Sequence, residues 1–278
     1  MSAHLAGRVV LVTGAASGFG RLIAEKCAAG GAKVVGVDVN AAALTEVVDG
    51  IVAAGGEALA QVADVTDLTA LQTAVRHAVT TLGAVDVLVN NAGMMPLAYF
   101  ADHERAWQRW HQAIDINIKG VVNGICAVYD QMIAQGRGHV VNISSTYSNA
   151  PTEGAGVYAA TKCAVNMISE SLRIEGQGRI KVSIVRPTGV PTTALAGSIV
   201  NRRASIGMVG HHAAEAGEKM KQLFTGTLPP QFADLDAIGC FALDPATVAE
   251  TILYVIDQPW GVSISDITVR ASGEPYLL

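Results

Sequence analysis

Long apolar runs are missing from this 278-residue chain, although half of its residues are hydrophobic. The first apolar stretch, "VVLVTGAA" after Arg8, is too brief and too rich in glycine for a signal peptide or a spanning helix, so a cytoplasmic protein with no membrane partner is expected. Charge is scarce as well. Only 15% of residues are charged, the net charge is -5 and the pI is near 5.8, which argues against nucleic acid or an anionic membrane surface and favours small or neutral ligands. The four cysteines, Cys27, Cys126, Cys163 and Cys240, lack C-x-x-C or zinc-type spacing and sit among apolar neighbours, so reduced, buried, structural thiols are expected. The adjacent His211 and His212 have no third ligand at useful spacing, so no metal site is expected. No internal repeat, low-complexity tract or Pro/Ser-rich linker divides the chain, and one domain over 1–278 is the economical reading.

What is present is a regular alternation. Short β-branched runs begin at 8 ("RVVLVT"), 33 ("KVVGVDV"), 58 ("ALAQVAD"), 85 ("VDVLVN"), 139 ("HVVNIS") and 181 ("KVSIVR"). Their continuous hydrophobicity predicts strands covered on both faces, hence a parallel sheet. Helical patterns occupy 18–30, 41–54, 67–82, 103–135, 155–175 and 245–258, so the expected fold is a doubly wound α/β sheet of the Rossmann type. The closing "VSISDITVR" predicts an edge strand. Residues 192–243 break the rhythm with helical pieces and Gly/Pro punctuation. They read as an insertion beyond the carboxyl ends of the strands, where such sheets bind ligands.

After the first strand the chain turns through Gly14, Gly18 and Gly20 into a helix. Glycines there let the backbone approach a pyrophosphate, whose charge a helix N-terminus favours. The spacing is G-x-x-x-G-x-G, not the general G-x-G-x-x-G, and alone it would also suit a tight turn. Asp38 ends the second strand 18 residues past Gly20, where a carboxylate can accept hydrogen bonds from ribose hydroxyls and repel a 2′-phosphate. No basic side chain stands among Ala15 to Phe19 or at Val39, so the expected cofactor is NAD.

With "TGAASGFG", "DVLVNNAG", "VVNISS" and "YAATK" in this order, the chain resembles the short-chain dehydrogenase/reductase family over nearly its whole length. The resemblance implies hydride exchange between a nicotinamide and a secondary alcohol or ketone. It makes Tyr158 the general acid/base and Lys162 the cation that favours its phenolate and holds the nicotinamide ribose. Ser145 would hydrogen-bond the substrate oxygen, with Ser144 the competing assignment, and Asn117 would bind a water linking the lysine to solvent. The cofactor would lie against Gly14, Ser17, Gly18, Phe19 and Gly20. Asp64 with Val65 would meet the adenine, and Asn90, Ala92 and Gly93 would wall the ribose, while Asn91 could simply cross-link strands. Val190 and Thr192 would meet the carboxamide. Thr188 stands where the family usually has Gly, which puts that turn's backbone in question.

The substrate pocket is expected to draw on Met94 to Phe100, residues 146–154, and Met208, His211, His212, Met220, Leu223, Phe224 and Phe232, an apolar set suited to a bulky hydrophobic alcohol. Arg202, Arg203, Lys219 and Lys221 in the same insertion could meet an acidic group, but solvated helix charges are the preferred reading. Two rival readings are an NAD-binding sensor without turnover and a dehydratase or epimerase, for which the chain is short and the glycine spacing wrong. The family resemblance also implies a homodimer or homotetramer formed through 103–135 and 155–175.

Overall fold

The computed structural model describes residues 4–191 and 193–277. Its strands are β1 (Val9–Thr13), β2 (Lys33–Asp38), β3 (Glu57–Val62), β4 (Val87–Asn90), β5 (Gly138–Ile143), β6 (Ile180–Pro187) and β7 (Asp266–Val269). They form one sheet in the order β3-β2-β1-β4-β5-β6-β7, with every pair parallel. Every residue of β1, β4 and β5 is buried, as expected for strands covered on both faces.

The helices are α1 (Gly18–Ala29), α2 (Ala41–Ala53), α3 (Leu68–Leu82), α4 (His103–Ile114), α5 (Gly120–Ala134), α6 (Gly156–Glu175), α7 (Ile206–Val209), α8 (Ala213–Thr225), α9 (Pro230–Ala233) and α10 (Pro245–Ile256). Alternation along β1 divides the core. Val10 and Val12 pack with Ile23, Leu44 and Ile252 from α1, α2 and α10. Val9 and Leu11 face the other way, onto Leu71, Val128 and Leu172 of α3, α5 and α6. Each such side chain contributes about 1.5–3 kcal/mol on burial. Asn40 and Asp67 cap α2 and α3 by accepting the N–H groups of Ala43 (3.2 Å) and Ala70 (3.1 Å). Gly83, at φ +91, ends α3 in the left-handed conformation.

The chain runs outward from β1 to β3 and returns to place β4 on the other side of β1, so strand order reverses between them. A crevice opens there at the carboxyl ends. The segment expected as one helix over 103–135 is two, α4 and α5, joined by a π turn at Asp115–Lys119 that carries Asn117 inward. Residues 193–243 hold short helical elements and, among the described residues, no strand. Two thiols depart from expectation: Cys27 and Cys240 are buried, but Cys126 and Cys163 lie on the outer sides of α5 and α6 and are exposed. Their apolar sequence neighbours belong to the buried stripes of those helices, and the thiols fall between the stripes. Among the described residues, no helix is long and apolar enough to cross a membrane and no cluster of side chains could hold a metal ion.

Candidate active site

The turn from β1 into α1 uses Gly14 (φ +68) and Gly18 (φ +54), conformations that L side chains resist. A Cβ on Gly20 would stand 2.0 Å from the Gly14 carbonyl oxygen and 2.6 Å from Asn91 Nδ2, so Gly20 lets the turn close on the helix. Ser17 makes no side-chain cap and the first turn of α1 has no acidic residue, which leaves its N–H groups for an anion. Asp38 is held by two backbone amides: Oδ2 accepts from Ala16 at 3.0 Å and Oδ1 from Asn40 at 2.9 Å. Open amides for a diphosphate beside a fixed carboxylate for ribose hydroxyls are a donor set that fits a dinucleotide.

A cavity of about 670 Å³ runs from this turn across the carboxyl ends of the strands. Gly14, Ser17, Gly18, Phe19 and Asp38 line one end, and Asp64, Val65, Ala92 and Gly93 continue the wall. Ser145, Tyr158, Lys162 and Val190 line the far part. Thr192 lies outside the described residues.

Three expected residues do not form the cavity's surface. Gly20 is packed behind Gly14. Asn90 is buried and donates from Nδ2 to Asn142 Oδ1 (2.9 Å), so it cross-links β4 to β5, because a strand residue one place before the turn points into the sheet layer. Its neighbour Asn91 cross-links as expected, donating from Nδ2 to the Thr13 carbonyl at the end of β1 (2.9 Å), and it also lines the cavity, which Asn90 does not. Asn117 is fully buried, exchanging hydrogen bonds with the Met94 backbone (2.9 Å each way) and donating to Thr161 Oγ1 (3.0 Å). A methyl on Gly93 would come within 3.2 Å of Asn117 Oδ1, a tight approach, so the bare glycine leaves room for that side chain.

Tyr158 and Lys162, one turn apart on α6, both face inward. The phenol stands beside the Ser145 side chain, whose Oγ accepts the Tyr147 N–H at 3.2 Å. Ser144 is occupied elsewhere, donating to the Lys162 carbonyl (3.3 Å) and Ser148 Oγ (3.4 Å). Lys162 Nζ donates to the Ile143 carbonyl at 2.8 Å and stands 5.9 Å from the Tyr158 ring centroid. The expected depression of the phenol is outweighed. Burial pushes Tyr158 up to about 12, with the Ser145 side chain pulling the other way, and burial pushes Lys162 down to about 8.

Thr188 resolves the question raised by the missing glycine. Its N–H donates to the Val269 carbonyl (3.0 Å), which extends the β6–β7 ladder, and among the described residues no non-glycine has positive φ. The next residue, Gly189, has the special role: a Cβ there would meet the Tyr276 hydroxyl at 2.5 Å.

The substrate end of the cavity takes Met94, Met95, Leu97, Tyr147, Met208, Met220 and Phe224 from the expected set. Phe100 instead turns outward, 71% exposed, against Trp110. Phe232 packs with Phe241 beneath the tail, and His211 and His212 lie against each other with centroids 3.9 Å apart. Of the basic residues of the insertion, Arg202 is exposed and lines the mouth, whereas Lys219 pairs with Glu215 at 2.8 Å. Tyr276 was not anticipated. It arrives from the C-terminal tail, where no periodicity points to a ligand.

Residues 8–204 match the short chain dehydrogenase family. The chain belongs to that family. It is therefore an oxidoreductase built to take a nicotinamide cofactor. It is 37% identical to the 2,5-dichloro-2,5-cyclohexadiene-1,4-diol dehydrogenase of Sphingobium indicum, over 69% of this chain and 76% of that protein. It is 33% identical to the glycine betaine reductase of Emericella nidulans over 98% of this chain, which spans only 19% of that longer protein. A solved 7 alpha-hydroxysteroid dehydrogenase, complexed with NADH and 7-oxo glycochenodeoxycholic acid, superposes with a TM-score of 0.78 at 26% identity, covering 98% of this chain and 96% of its own.

Proposed function

We propose that this short-chain dehydrogenase uses NAD to interconvert a bulky, hydrophobic secondary alcohol and its ketone, with Tyr158 as the proton-transfer group. The observation that carries the reading is the Tyr158 phenol, buried at the cavity wall beside Ser145 and backed by the Lys162 ammonium. When bound, the nicotinamide supplies or accepts the hydride. Ser145 holds the substrate oxygen against the phenol, and Tyr158 donates its proton to that oxygen as the ketone is reduced or takes it as the alcohol is oxidised. Lys162 offsets the negative charge that develops on the phenol, at close range in a poorly hydrated site. Asn117 holds the Met94 backbone behind them, and Val190 closes the wall beside the reacting centre.

Asp38 supports NAD over NADP. Its carboxylate, fixed by two amides, suits ribose hydroxyls and opposes a 2′-phosphate, and no basic side chain of the loop is placed to receive one. The apolar wall of Leu97, Met208, Met220 and Phe224 supports a hydrophobic substrate. Segment 192–243 serves as its lid within one domain over 1–278, and exposed Trp107, Met167 and Ile174 on α4 and α6 offer a face for a homodimer or tetramer.

The test follows nicotinamide absorbance for wild type and Tyr158→Phe with cyclic, aromatic and aliphatic secondary alcohols, giving NAD and NADP in parallel. Turnover with NAD that falls by about 10²–10⁴-fold in the variant is expected for loss of the proton-transfer group. Equal rates in both proteins, or a preference for NADP, would refute the corresponding part of the reading.

A further inference from the structure

Tyr147 lies in the helical turn Thr146–Ser148 that follows β5, lines the cavity and is only 4% exposed. Its phenolic oxygen is buried without a hydrogen-bond partner. A buried unpaired hydroxyl destabilises a fold, and phenylalanine would fill the same space without that cost. The ring itself is well held. It meets Tyr158 edge-on with centroids 5.4 Å apart, packs among Leu97, Ala155 and Met208, and its N–H is bonded to Ser145 Oγ.

A second phenol joins it. Tyr276 lines the same cavity and crosses Gly189, and its tail is pinned by the Leu277 N–H to the Met208 carbonyl at 3.0 Å and by Arg270 Nη2 to the Tyr276 carbonyl at 3.0 Å. Tyr147 and Tyr158 belong to one packed cluster against which Tyr276 lies, and all three line the cavity, so the three phenols meet at one end of it. Leu97, Ala155 and Met208 pack around the rings, and Ser145 is the neighbouring hydroxyl.

We propose that the Tyr147 hydroxyl, with Tyr276 beside it, is a second recognition point that hydrogen-bonds a further oxygen of the substrate. The preferred substrates are then apolar rings bearing two oxygens, a diol or the corresponding hydroxyketone, and not simple monoalcohols. Removing the second oxygen leaves the hydroxyl unpaired in the complex, which is how a polar group in an apolar pocket discriminates. This inference rests on the alcohol dehydrogenase reading above and narrows its substrate class.

The experiment compares 4-hydroxycyclohexanone with cyclohexanone in wild type, Tyr147→Phe and Tyr276→Phe. Wild type is expected to favour the hydroxyketone in kcat/KM by tenfold or more. In Tyr147→Phe the ratio should fall towards one without a lower thermal midpoint, and Tyr276→Phe should reduce it in the same direction. A wild-type ratio near one, or a ratio unchanged in Tyr147→Phe, overturns the proposal while turnover itself upholds the dehydrogenase. If neither ketone turns over, calorimetry with cyclohexane-1,4-diol and cyclohexanol, in the presence of NADH, decides the matter. Diol-selective binding that Tyr147→Phe abolishes supports the second recognition point and refutes only the dehydrogenase reading, whereas equal or absent binding overturns the inference.

Discussion

Lys162 should make activity and stability respond to alkali in opposite directions. Burial moves its ammonium from an ordinary 10.5 to about 8. At roughly 1.36 kcal/mol per pH unit this amounts to about 3 kcal/mol of destabilisation at neutral pH, the cost of keeping a cation in the wall. Below pH 8 the folded and unfolded chains both hold the proton and the penalty is complete. Between about 8 and 10.5 the folded protein releases a proton that the unfolded chain retains, so this group's contribution to stability rises with pH. The cation behind Tyr158 is lost over the same interval. The kcat/KM for the cofactor in ketone reduction, which reports groups of the free enzyme, is expected to fall above about pH 8. Lys162→Met should be inactive yet more stable than wild type in urea at pH 7, by about 1–2 kcal/mol once the lost hydrogen bond to Ile143 is deducted. That gap should close between pH 8 and 10. Full wild-type activity through pH 10, or a Lys162→Met protein less stable than wild type with a pH-independent gap, would refute the reasoning.

Three further outcomes follow from the packing. Gly20→Ala drives a methyl into the Gly14 carbonyl oxygen and should lower stability by about 1–3 kcal/mol and NADH affinity at least tenfold, measured by thermal melting and fluorescence titration. Gly124→Ala places a methyl 2.3 Å from Asn90 Oδ1, so it should break the Asn90–Asn142 link and lower the melting midpoint. An NADH affinity that fell as sharply as the midpoint would instead put Asn90 at the ribose. His139 is buried and pushed down to about 3 by desolvation, then by Lys181 and Arg8. Because Ser183 Oγ donates to the Ile264 carbonyl (2.6 Å), His139 Nε2 must donate to Ser183 (2.9 Å), which leaves Nδ1 bare. As pH falls from 6.5 towards 3 the unfolded chain takes up a proton that this ring refuses. Stability should therefore drop by about 1.4 kcal/mol per pH unit from this residue, a slope that His139→Gln removes from urea unfolding between pH 6.5 and 4.5.

Parallel pairing and the places of Gly14, Asp38, Ser145, Tyr158 and Lys162 were legible in the chain, because each is a local pattern, whereas the order of the strands came only from the fold. Continuous apolar runs demand a sheet covered on both faces, positive-φ turns demand glycine, and residues four apart share a helical face. That Asn91 and not Asn90 lines the cavity was not legible, since one residue's rotation along a strand end decides which side chain enters it. The same holds for the π turn that carries Asn117 inward and for the ladder bond that makes Thr188 acceptable in place of glycine. Direction alone cannot give burial either. The sequence placed Lys162 beside Tyr158, but only the packed fold removes water from both and drives their protonation in opposite directions. Tyr276 is the clearest case: more than a hundred residues of chain separate it from Tyr147 and Tyr158, and only tertiary folding of the tail across Gly189 brings the three phenols to one end of the cavity. Local sequence thus determined the sheet, the glycine turn and the reacting pair. The shape and polarity of the substrate end were decided by long-range packing, because its walls come from segments that meet nowhere but in the fold.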